Sequence, residues 1–144
     1  MHSNTVDRPI RVVVADDDAD IRQLVRINLE YDGRFEVVGE AAEGEEAVRV
    51  VTSTKPDVTV LDLSMPRLNG LQAIPRIRLE APEVRILVYS CSDGLDAAED
   101  VLLAGAHEYV EKSIDATLIP SRLFTLYERV PPAHRPDRPG TLAG

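Results

Sequence analysis

Four short runs of the chain each end in a different reactive group. Residues 10–15 lead into Asp16, Asp17 and Asp18, and residues 58–61 lead into Asp62. Residues 85–89 lead into Ser90, and residues 108–111 into Lys112. Adjacent strands lie about 4.8 Å apart, so carboxylates from two strand ends can converge on one small volume. Grouped carboxylates repel one another, and a hard divalent cation relieves that repulsion. Mg2+ suits such a place, since it takes few carboxylates together with waters and a phosphate oxygen. With the Lys112 ammonium added, the charges of Asp16, Asp17 and Asp62 are balanced.

A near-neutral site with an accessible carboxylate favours in-line phosphoryl transfer onto that carboxylate, where positioning and charge neutralisation dominate. Asp62 would be the nucleophile and would become an aspartyl phosphate. Ser90 would donate a hydrogen bond to the phosphoryl group, and Lys112 would pair with it as a point charge. Taken singly, an aspartate after a strand is more often a cap or turn residue, and a lone lysine is a surface charge. Four such groups in this order are much harder to explain as coincidence.

The elements that must position these groups follow from the hydrophobic pattern. Strands are expected near 10–15, 35–38, 58–61, 85–89 and 107–111. Three of them are almost wholly apolar, as parallel strands covered on both faces require. Between them, Asp20 is expected to cap a helix carrying Ile21, Leu24, Val25 and Leu29 on one face. Further helical patterns run over 43–51, 71–79 and 93–104, the last stopped by Gly105. A final helix runs from Asp115 or later to Val130. Pro75 and Pro120 fall early in their helices, where they cost little, delay the start or introduce a kink. Five strands alternating with five helices is the doubly wound α/β pattern, and its functional groups gather at the carboxyl ends of the strands.

The chain has 144 residues, enough for one domain with its own core. Residues 1–9 read as a polar lead, 10–130 as the domain, and the proline-rich 131–144 as a tail or linker stub. The net charge of −9 argues against direct nucleic-acid binding. No apolar run is long enough to span a membrane, and the N-terminus lacks a secretory pattern, so a cytoplasmic protein is expected. The only cysteine, Cys91, is read as a small apolar residue after a buried strand rather than as a redox thiol. The three histidines are too scattered in sequence to suggest a ligand cluster.

The motifs resemble those of the receiver domains of bacterial response regulators, the CheY-like family. Val12-Val-Val-Ala-Asp-Asp-Asp18 is similar to its first strand and acidic pair. The segment from Pro56 through Asp62-Leu-Ser-Met-Pro66 to Gly70 is similar to its phosphorylation segment. Val88-Tyr-Ser-Cys91 and Gly105-Ala-His-Glu-Tyr-Val-Glu-Lys112 match its switch hydroxyl and last-strand motifs. The resemblance covers about residues 9–130. It implies a five-stranded flavodoxin-like fold, with Asp62 as phosphoacceptor and Mg2+ bound by Asp17, Asp62 and the Ser64 backbone carbonyl. Asp16 would act mainly through a metal-bound water. It also implies a histidine kinase or phosphotransfer protein as donor and a downstream protein as target. Phosphorylation would draw Ser90 inward, let Tyr109 follow, and repack the surface of the fourth helix, fifth strand and fifth helix. A phospho-dependent homodimer would appear as a mass change on adding beryllofluoride.

One departure stands out. The family lysine is usually followed by a proline in a cis peptide, whereas Ser113 follows Lys112 here. Some receivers joined to helix-turn-helix output domains also lack that proline, and the segment 37–47 resembles theirs. The residues after the last helix are too few for a DNA-binding domain, so the chain reads as a stand-alone receiver or one separated from its output. Two alternatives remain: a degenerate receiver that binds without phosphorylation, and a haloacid-dehalogenase-like phosphatase starting at Asp16-Asp-Asp18. The second leaves the Asp62 segment unexplained.

Overall fold

A computed structural model describes residues 8–91 and 95–131. The expected lead and tail fall largely outside these residues, as do the helix start at Asp93 and the Leu95 side chain. The strands are β1 (Ile10–Ala15), β2 (Phe35–Ala41), β3 (Val58–Leu61), β4 (Arg85–Ser90) and β5 (Glu108–Glu111). The helices are α1 (Ala19–Asp32), α2 (Gly44–Thr54), α3 (Gly70–Glu80), α4 (Leu95–Ala104) and α5 (Ile119–Arg129). A 3-10 turn (Ala116–Leu118) leads into α5.

All strand pairs are parallel, in the order β2-β1-β3-β4-β5. The alternation of side chains along each strand divides the core in two. Val13, Ala15, Leu61, Ile86 and Val88 pack with α2, α3 and α4 on one face. Val12, Val14, Val58, Val60, Leu87 and Val110 pack on the other with Val25 and Leu29 of α1 and Leu123 and Leu126 of α5. The strand order reverses between β1 and β3, so their carboxyl ends border the crevice where such sheets bind ligands.

Several boundaries differ from expectation for local reasons. Asp18, not Asp20, caps α1: its backbone is extended and its side chain accepts from the Asp20 N–H. β2 runs on to Ala41 because its register against β1 skips a residue, pairing Val12 with Val37 but Val13 with Gly39. That bulge breaks the period-two pattern by which its end would be read. Leu24 of α1 and Leu102 of α4 are exposed rather than facing the core. Cys91 is exposed as well. Pro75 lies inside α3, whereas Pro120 occupies the first turn of α5. Gly105 follows α4 with φ +124°, a stop that favours glycine. No cis peptide bond occurs among the described residues, so the Lys112–Ser113 bond is trans. No helix among them is long and apolar enough to cross a membrane.

Two features hold the strand ends in place. The start of α3 is fixed by reciprocal bonds in which Asn69 accepts from the Gln72 N–H and Gln72 from the Asn69 N–H. Its first residue, Gly70, lies directly against the Asp62–Leu63 backbone, where an added Cβ would strike the Asp62 carbonyl. At the opposite end of the sheet, His107 Nδ1 accepts the Ile86 N–H at 3.0 Å, while the His107 N–H donates to the Ile86 carbonyl. The imidazole thus extends the β4–β5 ladder. Burial, reinforced by Arg78, Arg85 and Arg129, pushes its pKa down to about 4.

Two outcomes are expected. Gly70→Ala should lower the unfolding free energy by about 2 kcal/mol in urea titrations, as forced overpacking does. For His107, the unfolded state takes up a proton near the ordinary value while the folded state stays neutral, so stability falls as pH drops from about 6.5 towards 4. Allowing for solvent screening at this half-buried ring, the loss should be about 1–2 kcal/mol. His107→Asn keeps an acceptor for Ile86 without titrating, so its urea midpoint should fall less over the same pH range. Identical pH dependence in the two proteins would refute the assignment to His107.

Candidate phosphoryl-transfer site

β1 delivers Asp16 and Asp17 to the crevice. The Asp16 N–H donates to the Ala41 carbonyl at 3.0 Å, continuing the β1–β2 ladder past the strand. Its carboxylate then turns back, with Oδ1 accepting the Asp18 N–H at 2.9 Å. Asp16 is buried and Asp17 exposed. From the neighbouring strand, the Asp62 N–H donates to the Ala15 carbonyl at 2.9 Å, setting Asp62 beside the acidic pair. One carboxylate oxygen from each of Asp16, Asp17 and Asp62 lies within 4.8 Å of the others.

Lys112 and Ser90 complete the group. The Lys112 N–H donates to the Ser90 carbonyl, anchoring the lysine to the end of β4. Its ammonium lies 2.7 Å from Asp16 Oδ2 and 3.6 Å from Asp62 Oδ1. Burial disfavours that charge, but the Asp16 hydrogen bond and the charges of Asp62 and Asp16 outweigh it and hold the lysine above its usual range. Burial and then the Asp16 carboxylate push Asp62 upward, against the pull of Lys112. The Ser64 N–H and the Ser90 hydroxyl donate to the Asp62 carboxylate and also favour its charged form. Oδ1 of Asp62 is buried and has no hydrogen-bond donor among the described residues. A buried carboxylate oxygen met by Lys112 only at ion-pair range, next to two further acids, fits a hard cation.

The remaining expected residues take distinct positions. Ser64 is exposed, two residues beyond Asp62. With Asp17, Leu63, Met65, Pro66, Asn69 and Leu71 it lines an open groove of about 510 Å³. Val88 pairs with Tyr109 across β4 and β5, and Ser90 pairs with Glu111. Parallel register and alternation therefore put Ser90 and Tyr109 on one sheet face. Tyr109 packs there against the core beneath α2, α3 and α4. The fold brings Asp16, Asp17, Asp62, Ser90 and Lys112 together, with Ser64 at the rim and Tyr109 further along the same face as Ser90.

Sequence reasoning missed residues that support the site without entering it. Gly70 lets α3 approach the Asp62 peptide, and Gly44 similarly makes room for the Leu68 backbone. Arg22 donates to the Asp16 carbonyl at 2.7 Å. A glycine at a helix start is a weak signal, and an arginine six residues from its target shows no pairing pattern until the loop is folded.

Residues 12–124 match the family model described as response regulator receiver domain. The chain is 34% identical over 131 residues to response regulator MprA of Mycobacterium sp. (strain KMS), covering 91% of this chain and 56% of that protein. It is 37% identical over 119 residues to protein-glutamate methylesterase/protein-glutamine glutaminase 1 of Geobacter sulfurreducens, covering 81% of this chain and 33% of that protein. It thus spans about a third to a half of these relatives. Among solved structures, the signal receiver domain of NarL from Mycobacterium tuberculosis superposes with a TM-score of 0.80 at 32% identity, covering 84% of this chain and 98% of that one. The response regulator domain of CheB from Thermotoga maritima gives 0.75 at 30% identity, covering 85% and 96%. The phosphatase and degenerate readings gain no support from these relatives. A parallel sheet in the order β2-β1-β3-β4-β5, with its acids at the crevice and lysine at the last strand end, accompanies a sequence match over most of its length: the chain belongs to the response regulator receiver domain family.

Proposed function

We propose that Asp62 accepts a phosphoryl group in an Mg2+-dependent reaction, the donor being a histidine kinase, a phosphotransfer protein or a small acyl phosphate. The observation that carries this reading is the convergence of three carboxylates, one of them the buried Asp62, whose Oδ1 has no hydrogen-bond donor among the described residues and faces Lys112 at 3.6 Å. Asp17 and Asp62 would hold the metal, with the Ser64 carbonyl as a further ligand and Asp16 acting mainly through a metal-bound water. When bound, Mg2+ supplies neutralisation of charge on the phosphoryl oxygens.

The chain's own groups do the rest. A carboxylate oxygen of Asp62 forms the new P–O bond as the donor's bond to phosphorus breaks, and the leaving group departs with that bond's electron pair. Asp62 has little freedom to turn away, because its backbone is tied to β1 and backed by Gly70. Lys112 transfers part of its pairing from Asp16 to the incoming phosphoryl group. The Ser90 hydroxyl, now on the Asp62 carboxylate, donates to a phosphoryl oxygen instead. The groove beside Asp17 admits the donor from the Leu63–Leu71 side.

The same movement provides an output. Ser90 and Tyr109 share a sheet face, so a shift of the hydroxyl alters the packing into which Tyr109 can move. The surface changed would be that of α4, β5 and α5, available to a downstream protein or a second copy.

With acetyl phosphate and Mg2+, intact-mass measurement should show addition of one phosphoryl group, lost in Asp62→Asn and on chelation by EDTA. Lys112→Ala should slow the reaction by about 100-fold, the scale of losing one preorganised charge partner. Modification of Asp62→Asn with loss in Asp16→Asn would reverse the assignment of the nucleophile. Beryllofluoride should shift amide resonances across α4, β5 and α5, and Tyr109→Ala should confine those shifts to the strand ends. Undiminished spread in that variant would remove Tyr109 from the relay.

A further inference from the structure

The acidic loop is held from beneath by a cation outside the phosphoryl-transfer group. Arg22, in the first turn of α1, donates from Nη1 to the Asp16 carbonyl at 2.7 Å and from Nε to Glu40 Oε1 at 3.2 Å. Glu40 is itself fixed on β2 and also pairs with Arg26, whose Nε lies 3.1 Å from Oε2. The guanidinium is therefore clamped between the β2 edge and the loop, and its planar fork is suited to holding two acceptors in fixed directions.

What it holds is the peptide between Asp16 and Asp17. That unit is planar, so fixing the Asp16 carbonyl also fixes the direction in which the chain enters Asp17. The N–H on the other side of Asp16 is held by Ala41. Asp17 is exposed and lies on the open side of the carboxylate cluster, so its aim depends on the backbone rather than on surrounding side chains.

We propose that Arg22 is a positioning residue for the metal site, orienting Asp17 through the Asp16 carbonyl; this rests on reading the Asp16, Asp17 and Asp62 cluster as the Mg2+ site, with Asp17 and Asp62 as direct ligands. The proposal makes an unusual demand on sign. By charge alone, an arginine beside a divalent-cation site repels the metal, and its removal would tighten binding. As an orienting group, its removal weakens binding.

The test is an Mg2+ titration of wild-type protein, Arg22→Met and Arg22→Lys at one ionic strength, followed by calorimetry and by the amide resonances of Asp17 and Asp18. Arg22→Met should bind Mg2+ about 10-fold more weakly, in line with loss of an outer partner of a metal ligand. Arg22→Lys can still donate to the Asp16 carbonyl and should recover most of that affinity. Equal or tighter binding by Arg22→Met overturns the proposal, as does failure of lysine to recover any affinity. Urea midpoints without Mg2+ separate the two roles, since a purely structural arginine would lower the midpoint and leave the affinity of folded protein unchanged. Should Arg22→Met fail to fold, Arg22→Leu, which also lacks a donor, carries the same outcomes. If wild-type protein binds no Mg2+, the metal reading itself fails and this inference falls with it.

Discussion

Everything at the working end of this domain depends on holding mutually repelling carboxylates together. At an effective dielectric of about 20, two such charges about 4 Å apart oppose one another by about 4 kcal/mol. Asp16 and Asp62 are both buried, so they also lose hydration. The fold does not relax this repulsion by moving the acids apart, because each is tied to a strand end by backbone hydrogen bonds. It compensates with Lys112, which takes Asp16 closely and Asp62 at longer range. One ammonium does not balance three carboxylates, and the remaining imbalance makes the pocket receptive to a cation.

Rigidity around the acids serves this purpose. Gly70 lets the capped start of α3 press against the Asp62 peptide, while Arg22 and Ala41 hold the groups on either side of Asp16. The groove beside Asp17, by contrast, is open and lined mostly by loop residues between β3 and α3. A fixed acceptor beside an adaptable approach suits phosphoryl transfer, in which geometry supplies most of the rate. On the proposed reading, the hydroxyl and lysine, which now face carboxylates, would exchange that partner for a phosphoryl oxygen.

Much of this was legible before folding. Strands such as residues 58–61 and 85–89 announce themselves because both faces of a parallel sheet are covered and leave no polar alternation. β2 was harder to delimit: its bulge at Val38 and Gly39 shifts the phase of burial. The cap of α1 lies two residues before the expected Asp20 because Asp18 and Asp20 both offer a capping carboxylate near the helix start, and only the backbone angles select Asp18. Leu24 and Leu102 satisfied a helical apolar spacing yet are exposed, because spacing defines a stripe on a helix and not the width of the surface that covers it.

By itself, the sequence determined the order of the chemical groups along the chain, the alternation of strands and helices, and hence the end of the sheet where those groups gather. Local preference and hydrophobic period suffice for that, since they act over a few residues. Only the tertiary structure decided that Lys112 sits closer to Asp16 than to Asp62, that Asp62 Oδ1 is buried with no hydrogen-bond donor among the described residues, and that Ser90 and Tyr109 share a face. It alone connected Arg22 to the acidic loop and Gly70 to the Asp62 peptide. These are relations across strands and between a helix and a loop, set by register and close packing, and no periodicity in one chain encodes such distances.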